Sequence, residues 1–230
     1  MASNETKTKL LIINTLQEKN LVKQKVFNAI QLTFDTFKIA IQELIAELNS
    51  ELKGQGNNFL IEYYFGNSHI ELFFGTDVIV FNFQKNIYEI DKSHSIWSHS
   101  YIQDNPLNSF VGIIHVYNFL KSSYKNNENE DLGYLIARIF INQEQHYFVE
   151  GKRQLGFLYN DFSSNIISKE DLKKITQSAI LYCLDFEMLV PPYEDVSIIN
   201  IEQLKSMINK SKSQNAKRMG FQFYKNDTSI

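Results

Sequence analysis

Across residues 21–52 the apolar side chains Val22, Val26, Ile30, Phe34, Phe37, Ile41, Leu44, Leu48 and Leu52 recur every three or four positions. That spacing marks one face of an α-helix, sustained for about eight turns with no Gly or Pro inside it. A helix so much longer than the globular average of about 11–12 residues must either cover a sheet or project and pair with a second helix. Phe27, Ile39 and Ile45 lie off the stripe. Burial on more than one side is therefore expected, which suits packing inside a fold better than a two-stranded coiled coil. Gly54-Gln55-Gly56 ends the run. Residues 1–20 hold their own apolar cluster, Leu10, Leu11, Ile12, Ile13 and Leu16, read as a separate short helix, with Asn20 capping the long one.

Behind the helix come strand-like runs. FLIEYYF, HIELFF and DVIVFNF, within residues 59–83, are separated by Gly66-Asn67-Ser68 and Gly75-Thr76-Asp77, which supply turn chemistry for an antiparallel meander. A second meander is expected from YLIARIFI (134–141), HYFVE (146–150) and QLGFLY (154–159), with Gly151 as a turn or bulge. Residues 107–124, following Pro106, read as a helix with Phe110, Ile113, Ile114, Tyr117, Phe119 and Leu120 on its apolar side. Ser168-Lys169-Glu170-Asp171 opens a further helix reaching to about residue 184. A last short helix is expected over 201–208 and a final strand over 219–224. The fold class is α+β: two antiparallel β-meanders packed with a long N-terminal helix and two further helices. One domain spans residues 1–230, divided into a helical N-terminal segment (1–56), an α+β core (57–200) and a basic C-terminal segment (201–230). KNNENED (125–131) stands as a boundary between half-domains.

The net charge of -3 excludes binding of polyanions by bulk charge, but the charge is uneven. Residues 201–230 carry six Lys or Arg against two acids, so the remainder holds seven net negatives. Nucleic acid is a possible partner of that basic segment. The only cysteine, Cys183, lies within AILYCLDF and reads as a buried small hydrophobe. Neither a signal peptide nor an 18-residue apolar run is visible, so a cytoplasmic protein without membrane contact is expected.

One motif points to chemistry. Tyr147-Phe148-Val149-Glu150-Gly151-Lys152 is an apolar strand ending in Glu-x-Lys. Alternate strand residues share a face, so Glu150 and Lys152 are expected to point together. This arrangement resembles the core of the PD-(D/E)xK nuclease superfamily. The resemblance implies Mg held by two carboxylates, Asp131 and Glu150, with Lys152 acting on the attacking water. The family's proline before the first acid is missing, and Glu130 stands there. The alternative is a solvated turn at 150–153. Arg138, a lone charge in an apolar strand, must be paired or must face a cleft; it could bind an anion or bridge to Glu150. Arg153, Lys217 and Arg218 are further anion-binding candidates. The five histidines, His69, His94, His99, His115 and His146, show no metal-ligand spacing. His115 is expected within the helix of 107–124.

The function expected from these features is non-enzymatic: a cytoplasmic protein that works by association, as a homo-oligomer or as a subunit of a larger assembly, with no cofactor. The alternative is an Mg-dependent nuclease using Asp131, Glu150 and Lys152, and a third reading is a small-ligand or nucleotide sensor resting on Arg138 and the aromatic-rich sheets.

Overall fold

The computed structural model describes residues 2–56, 59–125, 132–185, 200–202 and 205. A single helix, α1 (Ala2–Gly54), opens the chain. The separate short helix expected over residues 1–20 does not exist. Asn20 is an interior residue of α1, because a lone Asn costs a helix only a few tenths of a kcal/mol and no Gly or Pro accompanies it. Three strands follow, β1 (Glu62–Phe65), β2 (His69–Phe74) and β3 (Asp77–Phe83). An excursion then carries the short strand β4 (Tyr88–Glu89), a 3-10 turn (Ser95–Ser98), helix α2 (Ser100–Asp104) and a second 3-10 turn (Pro106–Ser109). Next come β5 (Phe110–Leu120), α3 (Lys121–Lys125), β6 (Tyr134–Asn142) and β7 (Tyr147–Gly151), then α4 (Gln154–Phe157) and α5 (Lys169–Leu184).

The fold is α+β, and the two meanders join in one antiparallel sheet of order β1-β2-β3-β5-β6-β7, with β4 paired to β5. What joins them is β5, where a helix was expected. Its sequence FVGIIHVYNFL is buried on both faces along most of its length, so its apolar residues fill the run instead of alternating. A doubly buried central strand loses the period of two and imitates a helical pattern. Of the expected helix, residues 107–109 end the second 3-10 turn and 121–124 open α3. The expected third strand over 154–159 is likewise replaced by α4. Gly156 presses on the end of β7 so closely that a Cβ there would stand 2.5 Å from the Gly151 carbonyl oxygen. Of the helix expected over 201–208, residues 201, 202 and 205 are described, and these are helical. The strand expected over 219–224 and the boundary at 126–131 lie outside the described residues.

The two faces of the sheet are covered differently. One lies under α1 and α5. Val22, Val26, Ile30, Phe34, Phe37, Ile41 and Leu44 of α1 are all buried, at 4% exposure or less. At about 1.5–3 kcal/mol per side chain, this stripe contributes on the order of 10–20 kcal/mol of gross burial, an upper bound against an extended chain. α5 starts with a capping box: the Ser168 hydroxyl accepts from the Asp171 amide, and the Asp171 carboxylate accepts from the Ser168 amide. Lys173 and Lys169 then bridge to Glu43 at 2.9 and 2.8 Å, tying α5 to α1. On the opposite face, the excursion lays Ile90, Ile96 and Ile102 over Val111, Ile113, Phe140 and Phe148. The Trp97 indole N–H, bonded to the Ile90 carbonyl at 3.1 Å, pins the excursion to itself. Beyond its edge that face is partly exposed around His69, Asn82, His115 and Tyr117, while Tyr124 of α3 packs against Phe73 and Phe119.

Candidate functional site

Polar residues from five strands line up across this face. The ladder pairs His69 with Asn82, Asn82 with His115, His115 with Arg138, and Arg138 with Glu150. Glu150 is joined in turn by His94 from the excursion. The result is a polar row crossing five strands, spanning about 20 Å at ordinary inter-strand spacing. All six side chains are half-buried. His115 therefore sits in a strand beside Arg138, where a helical position was expected. Burial and the nearby Arg138 charge both push its pKa below 6.5.

Glu150 is the best-held member of the row. Oε2 accepts from the Arg138 guanidinium, whose carbon also lies 5.1 Å from the Phe140 ring centre. Oε1 lies 3.2 Å from His94 Nε2. The other His94 nitrogen, Nδ1, accepts from the Ile96 amide at 3.3 Å and so caps the 3-10 turn. A ring that accepts at Nδ1 carries its proton on Nε2, and His94 therefore donates to Glu150. Both of its nitrogens are committed, which leaves it no lone pair for a substrate proton.

Glu150 is engaged by other side chains, and Lys152 lies past the end of β7. The carboxylate oxygens of Glu150 are taken by Arg138 and His94, and β7 ends at Gly151, one residue before Lys152. Lys152 is exposed, its amide bonded to the Ile136 carbonyl at 3.0 Å, and Arg153 turns the chain at a φ of +50°. Arg153 lies 3.6 Å from the Asp185 carboxylate and stacks on Tyr182, a pairing at the end of α5. Asp131, Lys217 and Arg218 lie outside the described residues. Among the described residues no group of three or more His, Cys, Asp or Glu side chains is placed to hold a metal ion.

A cleft of about 390 Å³ adjoins the row, walled by His94, Ser95 and His99, floored by Phe148 and Glu150, and closed by Asn160. The His99 side chain makes no capping bond to the helix it precedes.

The second unusual surface is the N-terminal part of α1. Packing of α1 begins at Val22; residues 6–21 are all exposed. Leu10, Leu11, Ile12, Ile13 and Leu16 are between 49% and 67% exposed. Four consecutive apolar residues, each turned about 100° from the last, cover every side of the helix. Residues 6–25 carry five lysines against the single acid Glu18, a local excess of four positives on a chain whose net charge is -3.

No family model, curated protein or solved structure matches the chain. No described helix is long and apolar enough to cross a membrane.

The polar row was half legible in the sequence. HIELFF, DVIVFNF, FVGIIHVYNFL, YLIARIFIN and YFVEG each set a polar residue within an apolar strand, but only the strand register aligns those residues. The Arg138 to Glu150 bridge was one of the two outcomes expected for Arg138. The projecting tip was signalled by Leu10-Leu11-Ile12-Ile13, since four apolar residues in a row cannot all face one sheet.

Proposed function

We propose that this protein works by association, pairing with a second copy of itself through the projecting N-terminal part of α1. The observation that carries the reading is the exposure of Leu10, Leu11, Ile12, Ile13 and Leu16 on a helix that has left its own core. Each side chain buried in a pairing contributes about 1.5–3 kcal/mol of gross apolar burial. That burial works against the cost of association, about 4–15 kcal/mol. An antiparallel pairing centred between Ile12 and Ile13 sets Lys7 of one copy opposite Glu18 of the other. It also places the two bodies at opposite ends of the paired segment. A parallel pairing sets lysine against lysine and crowds the bodies together. Because the segment is positively charged in both copies, added salt screens their repulsion and tightens the pair. The free, buried thiol of Cys183 is compatible with the cytoplasmic location expected from the sequence.

The nuclease reading has no comparable support. It requires Glu150 to release Arg138 and His94, and it depends on Asp131, which lies outside the described residues.

Light scattering coupled to gel filtration tests the proposal. The expected mass lies above 26.9 kDa, rises with protein concentration, and falls to 26.9 kDa in the doubly substituted Ile12→Glu, Leu16→Glu protein. Circular dichroism of that variant should retain the signal of the body. A wild-type mass of 26.9 kDa at every concentration, or an unaltered mass in the variant, refutes the reading.

A further inference from the structure

Independently of self-association, the geometry points to a binding site for a small monocarboxylate with an apolar body on the partly exposed face of the sheet, held by Arg138 with Asn82, His115 and Tyr117. Arg138 presents five N–H groups, and the Glu150 carboxylate takes one hydrogen bond from its Nη2. The Arg138 side chain is 42% exposed and its plane is steadied by Phe140, so the remaining N–H groups are available in a fixed orientation. The neighbouring polar ends are also open. Among the described residues, no hydrogen-bond partner is placed for the Asn82 amide, the His115 ring nitrogens or the Tyr117 hydroxyl. His115 is the register partner of both Asn82 and Arg138, and its ring lies 5.7 Å from that of Tyr117. These groups form a donor-bearing patch around one guanidinium.

The charge of the patch selects the ligand. Arg138 is already opposed by Glu150, and Glu150 holds its place through His94, so the ion pair is neutral before any ligand arrives. A planar monoanion can share the free edge of the guanidinium through parallel N–H···O bonds. A dianionic phosphate would bring a second negative charge up to Glu150 and have more hydration to lose. Next to Tyr117 the surface is apolar; Glu71 of β2, paired with His69 and held by the Tyr124 hydroxyl, lies one strand further out, beyond Val80. Tyr117 is flanked in the ladder by Val80 on β3 and by Leu135 on β6, the latter 41% exposed. A hydrocarbon or aromatic body attached to the carboxylate would lie over these side chains.

Benzoate, acetate and inorganic phosphate are the probes, titrated into the full chain and followed by NMR of the His115 ring. Benzoate is expected to saturate with a roughly millimolar dissociation constant and to bind more tightly than acetate, with phosphate failing to compete. A bound carboxylate next to His115 favours the imidazolium, so the titration midpoint of His115 should rise and benzoate affinity should increase as pH falls toward 6.5. The charged and titratable groups facing that ring are Arg138 and, behind it, Glu150; beyond Asn82 lies His69, ion-paired with Glu71 at 3.3 Å, and Tyr117 is on its own strand. Arg138→Met should abolish saturation, and Tyr117→Phe, which removes only a hydroxyl, should weaken benzoate about tenfold or less. Should Arg138→Met fail to fold, Tyr117→Phe and Asn82→Ala decide the matter. Shifts that never saturate, phosphate binding tighter than benzoate, or benzoate affinity unchanged in these variants overturns the assignment.

Discussion

Replacing Gly112 by Ala tests how tightly α1 lies on the sheet. Gly112 is in β5 directly beneath Ile30 of α1. A methyl group there would stand 2.6 Å from Ile30 Cδ1, 2.9 Å from Cγ2 and 3.1 Å from Cβ. The first contact could be relieved by a rotamer change, but the last is fixed to the helix backbone, and Ile30 is fully buried. The helix or the strand must move. Overpacking of this kind costs about 1–3 kcal/mol, partly offset by the 0.5–1 kcal/mol that Ala gains over Gly in a regular element, roughly. A net loss of about 1–2 kcal/mol is expected, read as a Tm lowered by about 2–8 °C for a chain of this size. The decisive assay is a double-mutant cycle by urea unfolding. Ile30→Ala alone should cost about 2–5 kcal/mol through the cavity it leaves. In the double variant the new methyl fills part of that cavity, so the combined loss should fall short of the sum by about 1 kcal/mol or more. A neutral or stabilising Gly112→Ala, or strict additivity with Ile30→Ala, refutes direct packing of α1 on β5.

Four further outcomes follow from the structure. Ser168→Ala removes the hydroxyl half of the capping box on α5 and should cost about 0.5–2 kcal/mol in urea unfolding. Glu43 is held below its ordinary 4.5 by hydrogen bonds from Lys169 and Lys173, so it favours the folded state above pH 4.5 and that contribution fades as pH falls below it. His115 is held below 6.5 by burial and by Arg138. The unfolded chain therefore takes up its proton first, and stability declines as pH falls below 6.5. Glu43→Gln should flatten the lower part of the stability profile and His115→Gln the upper part. Burial pushes the Cys183 thiol up to about 12, so a thiol reagent at pH 8 should label it only as fast as the chain opens.

The sequence exposed what one periodicity could carry alone. The stripe of α1 repeats often enough that no single residue decides it, and Ser168 with Asp171 marks the start of α5 by capping chemistry that acts locally. β5 was misread because its environment is the reverse of local. Ile114 and Val116 face α1 and α5, while Val111 and Ile113 face the excursion. With both sides apolar, the alternation that distinguishes a strand from a helix disappears. The extension of α1 through residues 2–20 was missed for a related reason. The cluster at residues 10–16 has no stripe, and a helix without a core to face gives no directional signal. At the polar row the individual residues were visible but their alignment was not. A one-residue slip between β5 and β6 would turn His115 away from Arg138, and only the packed sheet sets that register.

Hydrogen exchange on the intact protein at two concentrations tests the central claim, that one unbroken helix is core along residues 22–45 and an association surface along residues 6–21. Amides of residues 26–45 should be protected to the same degree at high and low concentration. Those of residues 6–21 should be protected when the protein is concentrated and exchange freely on dilution. Protection over residues 6–21 that is indifferent to concentration, whether high or absent, contradicts the account.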